Sequence, residues 1–273
     1  GRLAILQVHA RDKKIDPEVS LEVVARRTTG FTGADLANLL NEAAIFTARR
    51  RKEAITISEI DDAIDRVIAG MEGKVIMDGK FKRMTAYHEI GHALLMTLLK
   101  DHEPVQKVTV LPRGQAIGLT WSMPNEEQGL ESRAKLLAMI TVSLGGRAAE
   151  EVVFGKDEID SGASNDIQRL TRIARGMVAQ MGMSELGLVA MDTEYQEYSE
   201  TIAAQIDREV RKIVKECHKQ AVEILQSHRW LMDMLAEILI DRETIDGEEF
   251  KQIVDREIAQ HQVAQSKPAL AGS

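Results

Sequence analysis

Apolar residues recur at intervals of three and four along most of the chain, the period of helices with one buried face. Asp16-Pro17 reads as a cap followed by proline at the first helical position, where the missing N–H is no loss. Thr32 can cap a second helix, with Asp35 near its positive end and Leu36, Leu39, Leu40 and Ala43 on one face. Thr56 and Glu59 form a capping box ahead of Ile60, Ala63, Val67 and Ile68, and Gly70 suits the end of that helix. A linker with glycines, about 71–82, leads to a helix over 83–99. The period then changes. Residues 107–111 alternate and are rich in β-branched side chains, which predicts a strand; Pro112-Arg113-Gly114 is turn chemistry, and 116–122 can form a second strand. Helix returns over 132–154, interrupted at Gly145-Gly146, and again over 166–181 after a polar loop at 160–165. Ile202, Ile206, Val210, Ile213, Cys217, Ala221 and Ile224 make one long apolar stripe. Trp230, Leu231, Leu235 and Ile238 mark another helix, and Asp246 with Glu249 a capping box for a third. Beyond about 259 the chain is polar without a period and reads as a mobile tail.

Composition narrows the function classes. The 273 residues carry 35 Lys+Arg against 43 Asp+Glu, a net charge of −8, and only 4% aromatics. That balance argues against a nucleic-acid partner, which needs phosphate neutralisation and stacking platforms. A lone cysteine, Cys217, excludes a disulfide framework and a cysteine-based zinc site. No apolar run approaches the roughly 20 residues of a spanning helix, and the N-terminal residues lack the pattern of a signal peptide.

The sharpest chemistry is His88-Glu89-Ile90-Gly91-His92, an HExxH. Residues four apart lie on one helix face, so two imidazoles can grip one Zn²⁺. Glu89 then sits where it can take a proton from an attacking water and return it to a leaving amine. A surface helix with two incidental histidines is the alternative. A catalytic zinc needs a third protein ligand. Leu95 and Leu98 occupy the positions where an extended metzincin pattern requires Gly and His, which excludes that class. No other histidine is well placed, so a carboxylate is expected, with Glu150, Glu151, Asp157, Glu158, Asp160 and Asp166 as candidates. Spacing does not choose among them.

Three blocks, TAYHEIGHALL over 85–95, LGGRAAEE over 144–151 and SGASNDI over 161–167, resemble the FtsH family of ATP-dependent zinc metalloproteases. Gly1-Arg2, ILQVH over 5–9, GFTGADL over 30–36 and NEAA over 41–44 resemble the helical lid of that family's AAA+ ATPase module. The resemblance covers nearly the whole chain. It implies a mainly α fold: a lid over 1–70, a linker over 71–82, a mostly helical zinc protease domain with a small β-sheet over 83–258, and the tail over 259–273. It implies zinc on His88, His92 and Asp166, one ion per subunit, with Glu89 as catalytic base and acid. It makes Glu150 a partner that orients a ligating histidine, a surface glutamate beside Arg147 being the alternative. It puts His9, Gly33 and Ala34 near the adenine of ATP. The chain holds no G-x-x-x-x-G-K-[ST] phosphate loop, so ATP and Mg²⁺ are expected only in an intact protein.

The resemblance further implies a homo-hexamer that degrades unfolded or membrane polypeptides. It implies a membrane reached only through segments outside this chain. The present part would then be soluble, on the cytoplasmic, matrix or stromal side. The strands around 108–122 can accept an extended peptide at an open edge, with a structural hairpin as the alternative. An oligomerisation scaffold with an idle or purely structural metal site is the competing function. Two stretches, 70–81 and 186–198, are shorter than the family pattern leads one to expect.

Overall fold

The computed structural model describes residues 1–69, 79–111, 118–122, 130–188, 190 and 199–266. The chain forms two compact units, one built on the helices of 1–69 and the other on the helices and sheet from 79 onward.

The first unit holds α1 (Arg2–His9), α2 (Leu21–Arg27), α3 (Gly33–Arg49) and α4 (Ile57–Ala69). Thr32 caps α3 reciprocally: its hydroxyl accepts the Asp35 N–H at 3.2 Å while the Asp35 carboxylate accepts the Thr32 N–H at 2.8 Å. Leu6, Leu36, Leu39, Leu40, Ile60 and Ile64 are the buried apolar faces of α1, α3 and α4. Glu59 turns inward in the first turn of α4, accepts the Thr56 N–H and hydroxyl, and pairs with Arg50 and Lys52, both at 2.8 Å. Asp16-Pro17 does not open a helix. Asp16 closes a turn, accepting the Glu18 N–H on its carboxylate and the Val19 N–H on its carbonyl, and Ser20 caps α2. The turn prevails because Asp16 is tied into the bridge between Ile15 and Ile55, its N–H donating to the Ile55 carbonyl at 2.9 Å.

The second unit is organised around α5 (Gly79–Leu98), whose residues from Met84 to Met96 are buried with the exception of half-buried His88. It is followed by β1 (Val105–Thr109), β2 (Leu119–Ser122), α6 (Arg133–Ser143), α7 (Gly145–Phe154), α8 (Ser164–Ala179), α9 (Glu200–Ser227), α10 (Arg229–Arg242), β3 (Thr244–Asp246) and α11 (Gly247–Ser266). The sheet runs β2-β1-β3, with β1 and β3 antiparallel and Val108 opposite Ile245. Leu94, Leu95, Ile140, Leu225, Leu235 and Phe250 are among the buried residues that join these elements in one core. No helix among the described residues is long and apolar enough to cross a membrane.

Four expectations need correction. α5 begins at Gly79, inside the expected linker. β1 begins at Val105, two residues before the alternating run. The start of α11 is preceded by β3, which the capping-box reading missed; Asp246 does accept the Glu248 N–H, but Glu249 pairs with Arg242 at 2.6 Å rather than closing the box. α11 also continues to Ser266 through the expected mobile tail, held where His261 stacks on Trp230 with ring centroids 4.3 Å apart. Gly70, most of the expected linker, the 112–114 turn, residues 116–117, most of the 186–198 stretch and the end of the tail lie outside the described residues.

Candidate metal centre and active site

A helix buried on nearly all sides cannot carry Thr85, His88, Glu89 and His92 unless each finds a partner. Glycines bring those partners within reach. A Cβ on Gly91 would stand on the Gly145 carbonyl and 2.6 Å from Ala149 Cβ, so α5 and α7 touch backbone to backbone. A Cβ on Gly146 would occupy the place of the His88 ring. One turn further along α7, Glu150 is buried, and its Oε1 lies 2.6 Å from His88 Nδ1. Its Oε2 has no hydrogen-bond partner among the described residues. His92 Nδ1 meets the Val142 carbonyl, near the end of α6, at 2.7 Å.

These contacts fix both rings. Each Nδ1 donates, to a carboxylate on one side and a carbonyl on the other, so each Nε2 is left to present its lone pair. The two Nε2 atoms converge at 3.1 Å. Asp166 enters from the first turn of α8, its Oδ2 3.5 Å from His92 Nε2 and 3.7 Å from His88 Nε2. The loop before it is pinned by Asp160, whose carboxylate accepts the Gly162 N–H at 2.7 Å.

Three electron-pair donors facing one point repel unless a cation lies between them. Tetrahedral zinc with ligand bonds of about 2.0–2.1 Å separates its ligand atoms by about 3.3–3.4 Å, close to the spacings here. The donor set therefore fits a zinc ion on His88, His92 and Asp166, which also form a metal-capable cluster by their mutual approach.

With only protons in the site, its groups answer one another's charge. Burial opposes a charged His88, but the nearby Asp166 carboxylate and the hydrogen bond with Glu150 overcome it and raise the imidazole to about 10. Burial likewise opposes an ionised Asp166, and the two imidazoles hold it well below the usual carboxylate range. A cation entering here displaces a proton. Glu89 is buried beside the cluster, and burial pushes its carboxyl upward. Its Oε2 accepts the Thr120 hydroxyl from β2 at 2.7 Å.

Of the six candidate carboxylates, Asp166 is the one brought to the Nε2 side of both histidines. Glu150 is held on the far side of His88 rather than at the surface beside Arg147. Glu151 pairs with His218 at 3.1 Å and Lys156 at 3.3 Å, Glu158 with Lys80 at 2.8 Å, and Asp160 is spent on its loop. Asp157 is exposed. In the first unit, His9 lies at the end of α1 and Gly33 and Ala34 in the first turn of α3, all three exposed. The Val142 carbonyl and Thr120 were not foreseen. A main-chain acceptor leaves no trace in a sequence, and a threonine in a strand is unremarkable there.

A buried helix bearing HExxH, a carboxylate brought to both histidines from a distant helix start and a buried glutamate beside them are the parts expected of a metallopeptidase domain. Family models agree. The model described as peptidase family M41 matches residues 75–253, and that of an AAA+ lid domain matches 18–62. The chain belongs to peptidase family M41. It is 52% identical over 270 residues to an ATP-dependent zinc metalloprotease FtsH of Synechococcus sp., covering 93% of this chain and 42% of the relative. It is 50% identical over 270 residues to one of Cyanidium caldarium (94% and 44%), and 49% identical over 267 residues to a chloroplastic FTSH 6 of Arabidopsis thaliana (93% and 39%). The chain thus spans about two fifths of the length of the curated relatives it matches.

Proposed function

We propose that the chain is the proteolytic part, with its attached lid, of an ATP-dependent zinc endopeptidase acting on unfolded or membrane polypeptides. The observation that carries this reading is the convergence of His88 Nε2, His92 Nε2 and Asp166 Oδ2 beside the Glu89 carboxylate. Zinc held there, one ion per chain, supplies Lewis acidity to the attacking water and the scissile carbonyl. Glu150 and the Val142 carbonyl keep the imidazoles turned toward the ion. Glu89 takes a proton from the water as its oxygen bonds to the scissile carbonyl carbon, and hands that proton to the amine nitrogen as the C–N bond breaks. Its buried setting, which favours the protonated form, suits it to hold that proton between the two transfers.

Substrate is held at the outer edge of β2, where a peptide adds as a further strand through main-chain hydrogen bonds, with little sequence preference. The similarity to FtsH supports the remaining parts of the proposal. These are a homo-hexameric assembly, ATP bound with His9, Gly33 and Ala34 near the adenine when the nucleotide-binding portion is present, and membrane attachment through segments outside this chain. The test is cleavage of an unfolded labelled casein by the zinc-loaded protein. Activity abolished by a chelator and restored by zinc is expected; cleavage indifferent to the chelator contradicts the proposal.

A further inference from the structure

We infer that Thr120 is a positioning residue for Glu89, holding the carboxylate so that Oε1 is the oxygen that takes and returns the proton. The inference rests on the proteolytic reading above. Glu89 is buried, and among the described residues its carboxylate has one hydrogen-bond partner, the Thr120 hydroxyl at 2.7 Å from Oε2. The same hydroxyl oxygen lies 3.1 Å from the Glu89 main-chain carbonyl, so Thr120 touches this residue at both its ends.

A threonine hydroxyl has one hydrogen to give. The shorter contact is to the carboxylate, where a charge-assisted bond is the stronger one. A donated hydrogen on Oε2 makes that oxygen the poorer base and leaves Oε1 for the reacting proton. The bond also survives the proton transfer. With the proton on Oε1, Oε2 becomes the carbonyl oxygen of an acid and still accepts from Thr120. The proton of the attacking water therefore passes to Oε1 and then to the amine nitrogen, with the Thr120 hydrogen bond unbroken throughout.

The last torsion of a glutamate is broad and soft, and a base must stay within hydrogen-bond reach of the proton it moves. Thr120 removes that freedom. It does so from β2, the outer strand of the sheet, so the element proposed to align substrate also aims the base.

The test compares kcat, KM and bound zinc for the parent, T120V, T120S, E89Q and E89Q/T120V, using unfolded fluorophore-labelled casein. Valine keeps the shape of threonine without the hydroxyl; serine keeps the hydroxyl. T120V is expected to lower kcat about tenfold or more, with KM within about twofold and zinc content unchanged. T120S is expected to regain most of the loss, and T120V to change nothing further once Glu89 is Gln. Parental kcat in T120V, an equal loss in T120S, an additive loss in the double variant, or loss of zinc from T120V would each overturn the inference. A parent that cleaves nothing removes the proteolytic reading itself, whereas an active parent with an equally active T120V removes only the role of Thr120.

Discussion

Replacing Glu150 probes the site through a buried residue on the Nδ1 side of His88, away from the converging Nε2 atoms. Its Oε1 lies 2.6 Å from His88 Nδ1, and its side chain is 2% exposed. Glu150→Ala leaves a buried Nδ1–H without its acceptor, which costs about 1–3 kcal/mol. It also frees the ring to change tautomer and to turn its Nε2 lone pair away from His92 and Asp166. Removing such an outer partner of a metal-bound histidine lowers affinity about 10- to 100-fold. Glu150→Gln can keep an acceptor oxygen on Nδ1 but forfeits charge assistance, which roughly halves the strength of the bond. A drop of about tenfold, worth about 1.4 kcal/mol, is therefore expected for Gln and a larger one for Ala. The assay is a zinc titration against a chromophoric chelator of known affinity at constant pH, for the parent and both variants. A Glu150→Ala protein that binds zinc as tightly as the parent would refute the orienting role. Equal losses for Gln and Ala would refute the contribution of charge.

Glu89→Gln is expected to keep zinc and fold while lowering casein cleavage by about 10²- to 10⁴-fold; parental cleavage would remove its assigned role. Gly91→Ala drives a methyl group into the Gly145 carbonyl and Ala149. It should destabilise the second unit by about 1–3 kcal/mol and weaken zinc binding, because His88 and Glu150 ride on the two helices being pushed apart; parental urea denaturation and zinc titration would contradict this. In the first unit, burial raises Glu59, but hydrogen bonds from Lys52, Thr56 and Arg50 overcome it and lower the carboxyl from 4.5 to about 2. A depressed folded value means that its stabilisation is full above 4.5 and is lost as pH falls through about 2. Because Arg50 and Lys52 are both partly open to solvent, that contribution is on the order of 2 kcal/mol. The difference in urea stability between parent and Glu59→Gln should shrink between about pH 5 and about pH 2; a constant difference would contradict the assignment.

Local chemistry made much of this legible in the sequence. The histidines of HExxH share a helix face by spacing alone, and the Thr32–Asp35 box is a four-residue pattern whose two hydrogen bonds both form. Contacts from afar were the harder part. Six carboxylates suited a third ligand, and family resemblance, not spacing, pointed to Asp166, because nothing local says which loop folds back onto α5. β3 is three residues whose strand character comes wholly from pairing with β1. α11 outlasts its apolar period because His261 finds Trp230 on another helix. Asp16-Pro17 shows the reverse failure, in which a sound local rule for a helix start gives way to a turn beside a distant partner, the Ile55 carbonyl. The packing of α5 against α7 was hidden in the glycines, whose lack of a side chain is what permits the approach.

The most direct measurement is diffraction from zinc-soaked crystals at energies on either side of the zinc absorption edge. One anomalous peak per chain is expected, with His88 Nε2, His92 Nε2 and an Asp166 carboxylate oxygen about 2.0–2.2 Å away. A peak elsewhere, or a site with Asp166 turned away from the metal, would contradict a zinc peptidase built on these three residues.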